Sequence, residues 1–334
     1  MDHVLIVGGG VAGCTIAREL SENGIKVTLI EAADEIGGQV RGYGCKASEV
    51  CNNCGVCLAA GLWDSVENNE KIDILRSSRV IDLLGEKGSF RAAIKRGGNT
   101  FYIDNISKVV VSTGFQPGAI DDFNGFAELD GLDHIITGSD LEKLFKDRTE
   151  ERLFEKSPAS VAFIQCYGSR DNKENAMYCS KVCCAYSTRA VKVIRQYYPD
   201  CEIVFYYMEL QMVGKGDYFR EMKDLGAEFI KCRPVRIDGA NGIVEYDDPD
   251  SGKRAERQFD LVVLSNGIHP TPDADRIAEI CGLCQSEEGF FRYTTGLAEA
   301  DITGIFIAGC ASGPKKIEEV CAESISIAKE IILA

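Results

Sequence analysis

The sequence lacks any uninterrupted apolar run near the roughly 18 to 20 residues that a bilayer-spanning helix needs, so direct membrane insertion is not expected. No leader is expected either, because Asp2 and His3 run straight into an apolar strand, and a cytoplasmic protein is the expectation. Positive charge is scarce: 37 Lys and Arg stand against 52 Asp and Glu, a net charge of -15. Nucleic acid and anionic membrane surfaces need clustered cations, so neither is an expected partner. The back half lacks the glycine turn that would admit a second dinucleotide, and cysteines stand there instead.

The 334 residues, 45% hydrophobic and 27% charged, suffice for one large or two medium cores, and two domains are expected. Fifteen cysteines is an odd count. In a reducing compartment persistent disulfides are not expected, so cysteines that gather in groups point to metal or redox use. Cys14, Cys201, Cys232, Cys281, Cys284 and Cys321 lie outside the groups and read as small buried hydrophobes. Cys281-Gly282-Leu283-Cys284 also has the spacing of a redox dithiol.

At the start, Val4 to Val7 form a short apolar strand followed by Gly8-Gly9-Gly10-Val11-Ala12-Gly13, a helix to about Asn23, and Gly24. A second strand, Lys26 to Ile30, ends at Glu31, near the distance at which an acid meets a ribose hydroxyl. This is a dinucleotide-binding pattern. Gly37 and Gly38, with Gln39 beside them, follow the second strand. Val109 to Thr113 reads as a buried strand turning at Thr113-Gly114, and Gly304 to Cys310 as a last strand through Gly309, before a helix from Lys316 and Ile317 to Ile332. Residues 72 to 112 alternate apolar and polar between Gly-rich turns, as an antiparallel meander does. Together these pieces resemble flavoproteins of the thioredoxin reductase type, which implies FAD at the first site. That resemblance also implies that Val80 contacts the adenine, although an ordinary core valine fits equally. An Asp usually stands in that family where Cys310 does here.

The second half repeats strand, helix and strand. Val161 to Gln165 leads to Cys166, a helix is expected over Tyr178 to Tyr198, and Glu202 to Tyr207 and Leu261 to Leu264 follow as strands. A charged helix is expected from Asp140 to about Glu155, and another around Asp217 to Leu225. The expected organisation is a FAD-binding domain over 1–115 and 266–334, a connector over 116–156, and a second Rossmann-like domain over 157–265.

Cys166, Cys179, Cys183 and Cys184 fall where that second turn would hold glycines. Adjacent residues on a regular helix point about 100° apart, so Cys183 and Cys184 reach one centre only where a helix starts or bends. The pattern Cys-x12-Cys-x3-Cys-Cys resembles the A-type flavoprotein subunits of heterodisulfide reductase, over nearly the whole chain. The resemblance implies an atypical [4Fe-4S] cluster close to FAD, held by these four cysteines, and a Lys near the flavin ring, here Lys315. Buried or zinc-bound thiols are the plainer reading. A second group, Cys45, Cys51, Cys54 and Cys57, has the close spacing of iron–sulfur sites without the usual fourth cysteine and proline downstream. A second cluster, zinc, or free thiols all remain readings of it.

Methanogen chains of this type are longer and carry ferredoxin-like domains. This chain looks more like the short form of sulfur-oxidising heterodisulfide-reductase-like complexes. The implied role is an electron-transfer flavoprotein subunit, homodimeric by analogy, working with other subunits of such a complex. A component of a quinone-interacting complex, an NAD(P)H-dependent disulfide reductase using Cys281 and Cys284, and a scaffold with structural zinc and FAD are the alternatives.

Overall fold

The computed structural model describes residues 2–119, 135–172, 175–211, 218–293 and 298–333. The start of the helix expected at Asp217 and much of the expected connector, residues 120–134, lie outside the described residues. Contacts divide the chain into two compact units, one of Met1–Arg41, Gly55–Gln116 and His269–Ala334, the other of Gly42–Cys54 and Pro117–Ile268. The chain passes between them at β8 (Gln116–Pro117) and β17 (Ile268–His269), strands being numbered in chain order.

The first unit is built on a parallel sheet of β1 (His3–Val7), β2 (Lys26–Ile30), β3 (Ile72–Leu75), β7 (Lys108–Val111) and β18 (Ile305–Ile307), in the order β18-β7-β1-β2-β3. The central strands β1 and β7 are buried at every residue, as continuous apolar runs in a sheet covered on both faces should be. Helix α1 (Val11–Glu22) crosses from β1 to β2, and α7 (Ile317–Leu333) packs beside it. An antiparallel meander of β4 (Ser78–Leu84), β5 (Phe90–Arg96) and β6 (Asn99–Ile106) covers the other face. There Val80, Phe90 and Ile94 meet Leu5, Val7, Val109, Val111 and α6 (Ala274–Cys281) in one core. Helix α2 (Val56–Glu67) begins where the sequence suggested only a loop.

The second unit repeats the plan. Its parallel sheet runs β12-β11-β10-β16-β9, from β9 (Ile135–Thr137), β10 (Ser160–Tyr167), β11 (Glu202–Tyr206), β12 (Ala227–Ile230) and β16 (Leu261–Asn266). Alternation along β10 splits the core. Val161 and Phe163 face α3 (Gly138–Asp147) and α4 (Cys183–Tyr197), whereas Ala162 and Ile164 face the meander of β13 (Arg236–Asp238), β14 (Ile243–Asp247) and β15 (Arg254–Gln258). Stacking of Phe163 on Phe205, with centroids 5.0 Å apart, adds about 0.5–1.5 kcal/mol beyond area burial. Helix α5 (Tyr218–Asp224) leads into β12.

Residues expected to connect domains are here part of a core: β9 adds an edge strand, and Leu141 and Phe145 of α3 are buried with the α4 side. Helix α3 starts at a capping box, with Thr137 accepting from the Asp140 amide, and ends at Arg148, well before Glu155.

Candidate functional site

In the first unit, the path from β1 to α1 is Gly8-Gly9-Gly10 alone. A Cβ on Gly13 would lie 2.0 Å from the Gly8 carbonyl oxygen, and one on Gly8 2.4 Å from that of Ser112. Both glycines are therefore required by backbone approach. Gly10, by contrast, has no atom within 4 Å of its would-be Cβ, an open face where a pyrophosphate can meet free amides at the start of α1, including those of Val11 and Ala12. Glu31, at the tip of β2, accepts from the Gly9 amide and the Ala33 amide, each at 2.8 Å. Thr113 Oγ1 is buried with no hydrogen-bond partner among the described residues, and Gly114 opens the turn after it, with φ of 76°. Such an orphaned hydroxyl beside a glycine-lined opening fits a polar ligand. Gly37 and Gly38 carry positive φ, and a Cβ on Gly38 would stand 3.2 Å from the Gly10 Cα. Gln39 lies in the 3-10 turn Gly38–Gly42.

At the other end of this unit, Gly309 approaches Ala12, with its would-be Cβ 2.8 Å from the alanine methyl. Lys315 does not stand free. Its ammonium donates to the Gly309 carbonyl at 2.8 Å and Ser312 Oγ at 2.6 Å, and pairs with Glu323 at 3.1 Å. Glu323 accepts in turn from the Gly309 amide. Cys310 is buried, its thiol donating to the Lys315 carbonyl, and burial pushes its pKa up to about 11. Lys316 donates its amide to Glu319, and Ile317 begins α7. Val80 sits in the hydrophobic core at 2% exposure, its carbonyl bound by Arg276.

The second unit makes its strand-to-helix turn differently. From Tyr167 to Cys183 the chain runs through residues 168–182, of which 173 and 174 lie outside the described residues. Left-handed backbone recurs here, with φ of 60° at Cys166, 57° at Arg170, 50° at Asn175 and 62° at Lys181. Side chains rarely adopt this region, and each such residue costs on the order of 1–3 kcal/mol, which the surrounding structure must offset. Buried polar contacts hold the turn. Ser180 Oγ accepts from the Ile268 amide at 3.0 Å, Tyr178 donates to the Ile268 carbonyl at 3.0 Å, and Gln165 donates to Ser265, which meets Ser187.

Cys166 is the penultimate residue of β10, within an irregularity in the pairing of that strand with β16. Cys183 and Cys184 open α4, not its second turn as the sequence suggested. Cys179 precedes the helix, separated from it by the left-handed Lys181. A helix start thus lets the adjacent pair serve one centre. The four thiols sense one another: Cys183 donates to Cys184, which pushes the Cys183 pKa up and pulls that of Cys184 down. Burial first, then the charges of Cys184 and Cys179, push Cys166 up to about 11, against the pull of Arg170. Ser169 Oγ and Arg170 Nη1 are buried with no hydrogen-bond partner among the described residues. Among the described residues, no three of His, Cys, Asp or Glu are drawn together as the ligands of a metal ion. Iron cubes hold their thiolates farther apart than a single ion does, and two orphaned donors beside four thiols fit an anionic sulfur cluster.

The earlier cysteines are parted by the division into units. Cys45, Cys51 and Cys54 belong to the second unit, whereas Cys57 is the second residue of α2 in the first. The loop 42–54 is fixed to its unit by three cations the sequence did not single out. Lys46 pairs with Glu142, their side chains only 3% and 8% exposed. Arg189 of α4 donates to the Asn52 and Asn53 carbonyls at 2.9 and 3.1 Å, and Arg148 to the Ala47 carbonyl. Cys45, Cys51 and Cys179 each accept from the amide two residues on, at 3.3–3.4 Å. Amides addressed to sulfur in this way are among the features that set iron–sulfur potentials.

The dithiol spacing of Cys281 and Cys284 joins two free thiols in opposite surroundings. Cys281 is buried in the core, where burial alone pushes its thiol up to about 12, and Cys284 is exposed and held by Asp301. The expectation of burial therefore fails for Cys284, which lies past the left-handed Gly282 that ends α6.

Residues 6–71 match the family described as NAD(P)-binding Rossmann-like domain. The chain is 27% identical over 421 residues to the A-type subunit of the ferredoxin/F(420)H(2)-dependent CoB-CoM heterodisulfide reductase of Methanosarcina acetivorans, covering 99% of this chain and 53% of the relative. It is 28% identical over 420 residues to the second A-type iron-sulfur subunit of the CoB--CoM heterodisulfide reductase of Methanopyrus kandleri, covering 98% and 63%. This chain thus spans between about half and two thirds of these relatives' length. Because 421 aligned positions exceed its 334 residues, the relatives carry segments within the matched region that it lacks. In fold it resembles the thioredoxin reductase of T. acidophilum, with a TM-score of 0.68 and 17% identity over 100% of this chain and 99% of that one.

Proposed function

We propose that this chain, similar over nearly its whole length to the A-type subunits of heterodisulfide reductase, is a flavin- and iron–sulfur-dependent oxidoreductase component that passes electrons between FAD and partner subunits in sulfur or thiol metabolism. The single observation that carries the reading is the second unit's turn, where four cysteines, strained backbone and two buried donors without a partner among the described residues replace a glycine cradle. When bound, FAD supplies two-electron chemistry and iron–sulfur clusters accept and release electrons singly.

The residues have distinct tasks. Gly8, Gly10 and Gly13 let the pyrophosphate reach the α1 amides, Glu31 takes the ribose, and Thr113 and Gly114 line the opening nearby. Gly309 and Cys310 close the pocket from β18. Lys315 is already paired with Glu323, so it braces the turn before α7. The amide groups at the α7 start then carry most of the positive field offered to reduced flavin. Cys166, Cys179, Cys183 and Cys184 hold the [4Fe-4S] cluster. Cys45, Cys51 and Cys54 are the thiolates offered to a second cluster, with zinc as the competing occupant, whereas Cys57, expected with them, belongs to the other unit.

The segments within the matched region that this chain lacks favour the compact form of sulfur-oxidising heterodisulfide-reductase-like complexes, with the substrate site on other subunits. A homodimer follows by analogy. The opposed environments of Cys281 and Cys284 speak against the self-sufficient disulfide reductase reading. Anaerobic protein reduced with dithionite should give an iron–sulfur EPR signal. A flavin signal alone would refute the reading.

A further inference from the structure

We infer that Arg170 is the charge-balancing residue of the cysteine turn: its guanidinium, paired with Glu209 in the turn between Cys166 and Cys179, holds the reduction potential of the bound cluster up, and Glu209 trims that effect. The inference rests on the iron–sulfur reading of Cys166, Cys179, Cys183 and Cys184. Arg170 lies in the turn between the first and second of these, in left-handed backbone that an Arg adopts only under constraint, its amide bound by the Tyr178 carbonyl at 3.1 Å. Nη1 is buried and lacks a hydrogen-bond partner among the described residues, whereas Nη2 lies 3.4 Å from Glu209 Oε2. The Ser169 amide donates to the Cys166 carbonyl at 3.2 Å, which closes the turn that carries Arg170 onto Cys166, and the Arg170 charge pulls against the upward push of burial on the Cys166 and Cys184 thiols. A guanidinium fits this place because it stays charged and its fork can address sulfur and carboxylate together.

Charge explains the consequence. A four-iron cluster on four thiolates is a dianion when oxidised and gains a further negative charge with each electron. A fixed cation beside it stabilises the reduced form more than the oxidised one, and most strongly where water is excluded. Glu209, at 60% side-chain exposure, opposes this through a more screened interaction. Glu209 also lies just past the end of β11, near where an acid would meet a ribose in a nucleotide-binding unit. Its engagement with Arg170 therefore also accounts for the loss of that use.

Redox titration followed by EPR, with iron counted in the same anaerobic samples, tests this in the whole chain. Arg170→Gln should lower the midpoint so that the reduction equilibrium falls about tenfold, or about 59 mV for one electron. Arg170→Lys should fall between it and the parent. Glu209→Gln should move the midpoint upward by less, and it keeps the arginine in place should Arg170→Gln fail to fold or load. A merely structural role would cost iron without moving the midpoint of what remains, and would leave Glu209→Gln silent. Full iron at an unchanged potential in Arg170→Gln, or a downward shift in Glu209→Gln, overturns the inference. A parent protein without iron removes the cluster reading beneath it, a different and separately visible failure.

Discussion

The two units share one plan, a parallel sheet with helices on one face and a three-stranded meander on the other, and they part company at one turn. The first passes from β1 to α1 in three glycines, the first of which admits no side chain. The second passes from β10 to α4 over residues 168–182, with strained non-glycine backbone and four thiols around it. Both turns end at a helix start, and both suit an anion. What differs is the distance of approach. Glycines bring amides onto a phosphate, whereas a longer path leaves room for the bulkier guest proposed above.

That contrast can be broken from either side. The largest effect expected is that of Cys183→Ser, which should abolish the second unit's cluster, seen as lost iron, while FAD stays bound. Unchanged iron would refute the ligand assignment. Gly13→Ala should do the converse, because its methyl would lie 2.0 Å from the Gly8 carbonyl. Flavin absorbance should disappear while iron is retained. Glu142→Gln leaves Lys46 buried without its counter-charge, and breaking such pairs typically costs about 3–5 kcal/mol. Chemical denaturation should show that loss, and a change within about 0.5 kcal/mol would mean that the pair does not anchor the 42–54 loop. NADH or NADPH alone should leave the flavin oxidised in the isolated chain. Rapid bleaching would restore nucleotide binding to the second unit. Smallest of all, Cys284→Ser should leave flavin, iron and stability unchanged, since the serine hydroxyl can still meet Asp301 and an exposed substitution of this kind usually moves stability by no more than about 0.5 kcal/mol.

Much of this contrast was legible in the residues. The glycine fingerprint with Glu31 at its strand end marks the first turn because close approach leaves no choice of residue, and cysteine spacing marks where the second turn departs from it. The start of α4 was hidden. Apolar periodicity continues back through Tyr178, no side chain caps the helix at Val182, and a left-handed Lys181 carries no turn signal. Helix α2 was hidden likewise, since a glycine N-cap at Gly55 and Gly61 within it read as loop. Glu142 lies 96 residues from Lys46, and Arg189 lies 137 residues from Asn52. Contacts of that kind are set by tertiary packing, so local pattern could not reveal that the first cysteine loop belongs to the second unit.

The most direct measurement is elemental and flavin analysis of one oxygen-free preparation of the whole chain. The account predicts FAD together with iron and acid-labile sulfide in the same protein. A yellow protein holding flavin but no iron would contradict it.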